Sequence, residues 1–132
     1  MQKCWPDVHL KELAFLEQRE LFDRLADRDG KAPPVLDSDD LLENPEGMVS
    51  AYCDAAGIPF IQEALTWQAG AGTEAYSWYD GGSWHETLRA STGLTAQQPG
   101  YVDISGAPDH AKRLYEQVLP HYEHLHAYRL KV

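Results

Sequence analysis

The chain has 132 residues, a length that suits one small domain with a single core. It is 43% hydrophobic and 24% charged, which is typical of a globular protein and excludes a disordered one. Its net charge of −10 disfavours binding to nucleic acid and to anionic membranes, which attract positively charged proteins.

Membrane insertion and secretion are also disfavoured. No stretch approaches the roughly 20 apolar residues that a membrane-spanning helix needs, and the first ten residues, MQKCWPDVHL, lack the apolar segment of a secretory signal. We therefore expect a soluble cytoplasmic protein. The two cysteines, Cys4 and Cys53, form no CxxC pair. Cys53 falls on the apolar face of a predicted helix, so we expect a buried, reduced thiol there.

The first predicted helix covers residues 6–28. Pro6 suits the first turn of a helix, and apolar residues then recur at helical spacing: Leu10, Leu13, Ala14, Leu21, Phe22 and Leu25. Asp29-Gly30 is a helix-terminating signal. The segment PPVLD that follows predicts a strand at residues 34–37. The acidic run after it is interpreted as the end of that strand and the start of a helix.

The second predicted helix covers residues 45–56. Asn44-Pro45 combines a favoured cap with a favoured first-turn residue, and Gly57 ends the pattern. A short helix is predicted over residues 62–67. Residues 68–83 are rich in Gly and aromatic residues and predict a long ordered loop, a type of segment that often carries function.

The last predicted helix covers residues 108–128, and Pro120 inside it predicts a kink or a break. The chain thus contains three substantial helices and a single convincing strand. A lone strand cannot satisfy its own backbone groups. PPVLD therefore needs neighbouring strands that this sequence does not obviously supply.

The metal-binding patterns in the sequence are incomplete. His85-Glu86 begins like the zinc motif HExxH, but Arg89 stands where the second histidine belongs. Near the C-terminus, His121 and His124 can share a helix face while His126 points elsewhere, and no further ligands complete a site. We interpret these three histidines as a solvated face and predict no metal.

The stretch GGSWHETLRASTG, residues 81–93, has two interpretations. Arg89, with the hydroxyl groups of Ser91 and Thr92 and the backbone amide of Gly93, would make an anion clamp through charge-assisted hydrogen bonds. Alternatively, the same residues form a capped helix end, with Arg in the last turn and Ser-Thr-Gly closing it. The spacing alone favours the helix end.

Several segments together resemble a known family: KCWPD, GKAPPVLDSDDLLENPEGMVSAYCDAAGIPF, ALTW, WHETLRASTG and LPHYEHLHAYRL. They look like the C-terminal half of bacterial P-loop sulfotransferase-like proteins, some of which are labelled branched-chain aminotransferase-like. The resemblance extends from about Lys3 to Leu130 and is weakest over residues 68–83 and 95–107. PPVLDSDDLLENPEGM is its most specific part, since it resembles the unit in which a strand with an acidic motif leads into a helix after Asn-Pro.

The resemblance implies a fold that is α/β by descent but mostly α in this chain. We expect a single partial domain over residues 1–132, with three main helices and one or two short strands of a parallel sheet. The family transfers a sulfuryl group from 3′-phosphoadenosine-5′-phosphosulfate to a hydroxyl or amine of a small-molecule acceptor. The donor lies on a phosphate loop, but the one Gly-Lys pair here, Gly30-Lys31, has neither the required upstream Gly nor a following Ser or Thr.

The resemblance also implies site residues. A nucleotide-closing segment is placed at Arg89, Ser91, Thr92 and Gly93. The acceptor pocket is placed near Trp78, Trp84 and His85. The missing N-terminal half, or a second copy of the chain, is the expected partner that covers the strand edge.

Three functional hypotheses follow. The first is the C-terminal portion of a sulfotransferase-like protein, inactive alone because one Arg and two hydroxyls cannot hold the donor. The second is a non-catalytic binding module that uses the aromatic loop 76–84. The third is a hydrolase that uses His85 and Glu86.

Overall fold

The computed structural model describes residues 8–70, 86–95 and 103–132. These residues form two compact units. The terminal unit consists of residues 8–37 and 103–131, from the two ends of the chain, and the central unit consists of residues 38–70 and 86–95.

The predicted first helix is two helices, α1 (Leu10–Leu13) and α2 (Phe15–Asp29). The prediction of one helix over residues 6–28 was wrong. The chain turns at Ala14, whose backbone adopts a left-handed conformation with a φ of 55°. The start at Leu10 is set by a capping box in which the His9 amide donates to the Glu12 carboxylate over 2.6 Å. The predicted end is confirmed, since α2 stops at Asp29 and Gly30 takes a φ of 66°.

The last helix of the terminal unit, α6 (Asp109–His126), contacts both α1 and α2. It continues through Pro120, so of the predicted kink or break the break was wrong, and the kink stays a prediction. Tertiary packing accounts for this continuity, because aromatic contacts hold the half of α6 that follows the proline. The Phe15 and Tyr122 ring centroids lie 6.4 Å apart, and those of Phe22 and His124 lie 5.8 Å apart.

The segment PPVLD finds a partner within the same chain. Val35 forms a parallel bridge with Arg129, and the Leu130 amide donates to the Val35 carbonyl over 2.9 Å. This neighbour had no sequence signal, because Arg129 follows a helix and has no strand pattern around it. The bridge is isolated among the described residues, which are mostly α-helical. The parallel sheet expected from the resemblance stays a prediction.

The central unit contains α3 (Ser38–Glu43), α4 (Pro45–Ala56), a 3₁₀ turn at Gln62–Leu65, and α5 (Glu86–Ala90). The prediction for α4 is confirmed to the residue. The Asn44 side chain accepts a hydrogen bond from the Gly47 amide at 3.2 Å, and Gly57 ends the helix with a φ of 70°. The acidic run makes its own short helix, α3, and the predicted helix over 62–67 is the shorter 3₁₀ turn.

Hydrophobic burial is sparse in both units. Among the described residues, the buried hydrophobic side chains are Phe22 in the terminal unit and Met48 and Cys53 in the central unit. The Cys53 thiol is free and buried, as predicted. In the part of the chain that the structure describes, no helix has the length and apolar character to cross a membrane.

Candidate functional site

Helix α5 brings the predicted nucleotide-closing residues to its C-terminal end. Arg89 lies in the last turn. The Ser91 amide donates to the Leu88 carbonyl over 3.2 Å, and the Ser91 hydroxyl donates to the same oxygen over 2.6 Å. Ser91 therefore closes the helix by satisfying a carbonyl that the helix itself leaves without a partner.

A second segment, residues 66–70, is bound to this helix end. The Trp67 indole N–H donates to the Ser91 hydroxyl over 3.1 Å. The Trp67 amide donates to the Thr92 carbonyl over 2.9 Å, and the Gly70 amide donates to the Arg89 carbonyl over 2.7 Å. We call this set of bonds between residues 66–70 and 89–93 the Trp67–Ser91 clasp. It holds these two segments next to each other.

Gly93 completes the clasp by close backbone contact. It forms an antiparallel bridge with Thr66. A Cβ atom at position 93 would lie 2.9 Å from the Leu65 carbonyl oxygen, closer than carbon and oxygen approach in folded proteins. Glycine is therefore required here because the neighbouring strand-like segment leaves no room for a side chain.

These contacts are the ones expected of a capped helix end. The Ser91 hydroxyl and the carbonyls of Arg89 and Thr92 already take part in the clasp. The Arg89 side chain is half-buried. The structure brings Arg89, Ser91, Thr92 and Gly93 together, and their role in binding a nucleotide stays a prediction. Trp78, Trp84 and His85, predicted to line the acceptor pocket, lie outside the described residues.

The stretch of sequence that contains Arg89 is strongly acidic. From residue 38 to residue 99 the sequence holds nine acidic residues and one basic residue, Arg89, and no Lys or Arg occurs between Ala32 and Leu88. A phosphosulfate donor carries several negative charges and needs a cluster of cations and backbone amides. The described residues of the central unit do not fit that group by themselves.

A cluster that the sequence patterns did not predict lies in the terminal unit, at the end of α6. The Tyr122 hydroxyl donates to the Asp37 carboxylate over 3.1 Å. The Tyr122 ring stacks on the His126 ring, with centroids 5.1 Å apart and planes 27° from parallel. Arg129 donates to the His126 carbonyl over 3.2 Å. The four-residue spacing of Tyr122 and His126 is the signal that would have predicted the stacked pair.

A second contact in the terminal unit joins α2 and α6 through His124. Its Nε2 atom lies 3.2 Å from the Asp23 carboxylate. The same carboxylate forms an ion pair with Arg19, whose Nε atom lies 3.7 Å from Asp23 Oδ2. The Tyr128 and Phe22 rings are 4.9 Å apart, and both contact the His124 ring. The interpretation of the C-terminal histidines as a solvated face was therefore wrong, because His121, His124 and His126 are half-buried in the packing of α6.

Metal binding gains no support from these histidines. In residues 8–70, 86–95 and 103–132, no three His, Cys, Asp or Glu side chains come together in a group that could hold a metal ion. The Tyr122 and His124 contacts therefore stand as packing and hydrogen-bonding features.

Comparison with known proteins identifies the family. The family model described as the sulfotransferase domain matches residues 4–129. The chain is similar to branched-chain-amino-acid aminotransferase-like protein 2 of Arabidopsis thaliana, with 38% identity over 69 residues. It is also similar to protein 1 of the same name and organism, with 34% identity over 67 residues.

These two matches are partial. They cover 52% and 51% of this chain but 12% of each plant protein, so the chain corresponds to a small part of the curated relatives that it matches. Their names agree with the label expected from the resemblance, while the bacterial origin stays a prediction. No solved structure matches the chain at a significant level.

Proposed function

The chain belongs to the sulfotransferase domain family, and on that premise we propose that it forms the C-terminal portion of a sulfotransferase-like domain. In the complete domain, a sulfuryl group moves from 3′-phosphoadenosine-5′-phosphosulfate to a hydroxyl or amine of a small-molecule acceptor. The chain alone does not catalyse this transfer. A cytoplasmic location is part of the same proposal.

The extent of the family match carries this proposal. The match spans residues 4–129, yet the sequence contains no phosphate-binding loop of the GxxxxGK[ST] type. Sulfuryl transfer, like phosphoryl transfer, depends on positioning and on charge stabilisation by cations and backbone amides. We therefore assign the phosphate-holding part of the site to the N-terminal half of the domain, which another stretch of polypeptide supplies.

The charge of the central unit supports this division. A nucleotide donor held by Arg89 alone would lie within a segment that contains nine carboxylates. Repulsion by those carboxylates outweighs one guanidinium. In the proposed complete site, Arg89, Ser91, Thr92 and Gly93 form one wall beside the nucleotide, and Trp78, Trp84 and His85 line the acceptor side.

The proposal is tested by calorimetry with adenosine 3′,5′-bisphosphate. We expect no measurable binding to the isolated chain. Tight binding would contradict the proposal, because it would place a working nucleotide site within these 132 residues.

The DNA upstream of the first codon provides the complementary test. We expect an in-frame segment that encodes a strand and a phosphate loop. The chain produced together with that segment should transfer the sulfuryl group, and Arg89→Gln should weaken nucleotide binding while Arg113→Gln, an exposed control on α6, should not.

A non-catalytic binding module is the second candidate, and the Trp67–Ser91 clasp favours it. The clasp holds residues 66–70 against residues 89–93, and between them lies the aromatic sequence of residues 76–84. A chain with no phosphate loop encoded upstream and no nucleotide binding would support this candidate over the first.

A further inference from the structure

An exposed apolar segment lies at the end of α4 and just after it. Ala55, Ala56, Ile58, Pro59 and Ile61 are all exposed. We call this set the Ile58–Ile61 patch. Ile58 is 52% exposed and Ile61 is 57% exposed. Single exposed aliphatic residues are ordinary, whereas a group of exposed apolar residues close together in sequence is a candidate interaction site.

Local hydrogen bonds hold the patch at both ends. The Ile58 amide donates to the Cys53 carbonyl over 3.0 Å, next to the turn at Gly57. The Ala64 amide donates to the Ile61 carbonyl over 3.1 Å as the 3₁₀ turn begins. Meanwhile α4 directs Met48 and Cys53 inward. The isoleucines therefore stay on the surface in a fixed backbone, which reduces the entropy lost on binding.

The rim of the patch is acidic. Asp54 precedes it, Glu63 follows it, and Glu46 is joined to it through a 3.4 Å hydrogen bond from Gln62. All three carboxylates are exposed. Because no Lys or Arg occurs between Ala32 and Leu88, the sequence around the patch offers no cation to neutralise them.

The apolar patch and its acidic rim together indicate what kind of partner would bind there. Apolar surface at the centre with carboxylates at the rim is complementary to aliphatic or aromatic side chains flanked by Lys or Arg. A second copy of the same face would bring two strongly acidic surfaces together, which costs association free energy.

We propose that the Ile58–Ile61 patch is a docking site for a partner-protein segment that presents aliphatic or aromatic residues flanked by Lys or Arg. The proposal does not rest on the predicted nucleotide or acceptor residues, because it uses none of them. Its failure would therefore leave the sulfotransferase proposal untouched.

The test uses three synthetic peptides and the intact chain. The first peptide alternates Leu with Lys, the second alternates Leu with Glu, and the third alternates Ser with Lys. Binding is measured by fluorescence anisotropy, and the site is located by amide chemical-shift changes. We expect the Leu/Lys peptide to bind most tightly and to shift amides from Asp54 to Glu63.

Two variants assign the binding to the patch. The double variant Ile58→Ser/Ile61→Ser should weaken binding of the Leu/Lys peptide at least tenfold. The control Leu21→Ser removes an aliphatic side chain that is 49% exposed on α2, and it should leave the affinity unchanged. Circular dichroism of both variants checks that they fold.

Several results would overturn the proposal. These are no binding of the Leu/Lys peptide, equal binding of the Leu/Glu or the Ser/Lys peptide, and equal affinity of the Ile58→Ser/Ile61→Ser variant. A dimer in sedimentation velocity that this double variant abolishes would also overturn it, because the occupant would then be a second copy.

Discussion

The terminal and central units reach their folds by different means. In the terminal unit, α2 and α6 are about a hundred residues apart in sequence and are joined by side chains, as in the contacts of His124 with Asp23 and Phe22. In the central unit, the structure follows local signals such as the Asn44 cap and the Gly57 turn, supplemented by the backbone bonds of the Trp67–Ser91 clasp.

The units also differ in charge. Residues 1–37 and 100–131 contain twelve acidic and ten basic residues. Residues 38–99 contain nine acidic residues and one basic residue. Most of the net charge of −10 therefore lies in residues 38–99, the stretch that contains the central unit. The proposed docking of a Lys- or Arg-bearing segment at the Ile58–Ile61 patch relies on this acidic excess.

Truncating Phe22 is the most severe test of the terminal unit. Its side chain is 6% exposed and contacts the His124 and Tyr128 rings. Phe22→Ala should lower the free energy of unfolding by about 3–5 kcal/mol, because it removes a buried ring from a thin core. Urea denaturation measures the change. The neighbouring exposed Leu21 is the control, and a loss from Leu21→Ala as large as that from Phe22→Ala would contradict the assigned packing.

Adding a methyl group at Gly93 tests the central unit. The new Cβ would lie 2.9 Å from the Leu65 carbonyl oxygen, so Gly93→Ala should lower the free energy of unfolding by about 1–3 kcal/mol through overpacking. A Cβ at Gly106 meets no atom within 4 Å. Gly106→Ala should therefore be neutral or slightly stabilising. If the two alanine variants were equally stable, the Thr66–Gly93 contact would be in doubt.

The bond between Trp67 and Ser91 gives a smaller effect. Trp67→Phe removes the indole donor and keeps most of the ring, and Ser91→Ala removes the acceptor together with the bond to Leu88. We expect each variant to lose about 0.5–1.5 kcal/mol of unfolding free energy. A double-mutant cycle isolates the shared bond. Additive losses would mean that the indole and the hydroxyl do not interact, and that the clasp rests on its backbone bonds alone.

The sequence predicted the local features and missed the long-range ones. Asn44, Pro45 and Gly57 lie within one helix, and their conformational preferences predicted α4 to the residue. Ala14 is a strong helix former, yet its position between α1 and α2 is left-handed because both helices pack on α6. The pairing of Val35 with Arg129 had no local signal. In the site, the residues around Arg89 were compatible with an anion clamp and with a helix end, and their spacing favoured the helix end. The Trp67 contact that supports the helix end comes from a segment more distant in sequence.

The terminal unit also contains a local feature, the hydrogen bonds between Asp103 and Ser105, for which we expect the smallest effect. Just before α6, the Asp103 carboxylate accepts hydrogen bonds from the Ser105 amide at 2.8 Å and the Ser105 hydroxyl at 2.7 Å. These two bonds hold the pKa of Asp103 below its ordinary value, and the bond from the backbone amide has the larger effect.

The sign of the pH effect follows from that direction. Since the folded state holds the pKa of Asp103 below its unfolded value, the stabilisation is present above the unfolded pKa and is lost as the pH falls through the folded one. Ser105→Ala removes the hydroxyl bond and keeps the backbone bond, so the pKa of Asp103 should rise partway toward its ordinary value. Carboxyl ¹³C NMR titration measures the shift, and Ser38→Ala in the central unit should leave it unchanged. A pKa of Asp103 that is the same in Ser105→Ala as in the unaltered chain would show that the backbone amide alone sets it.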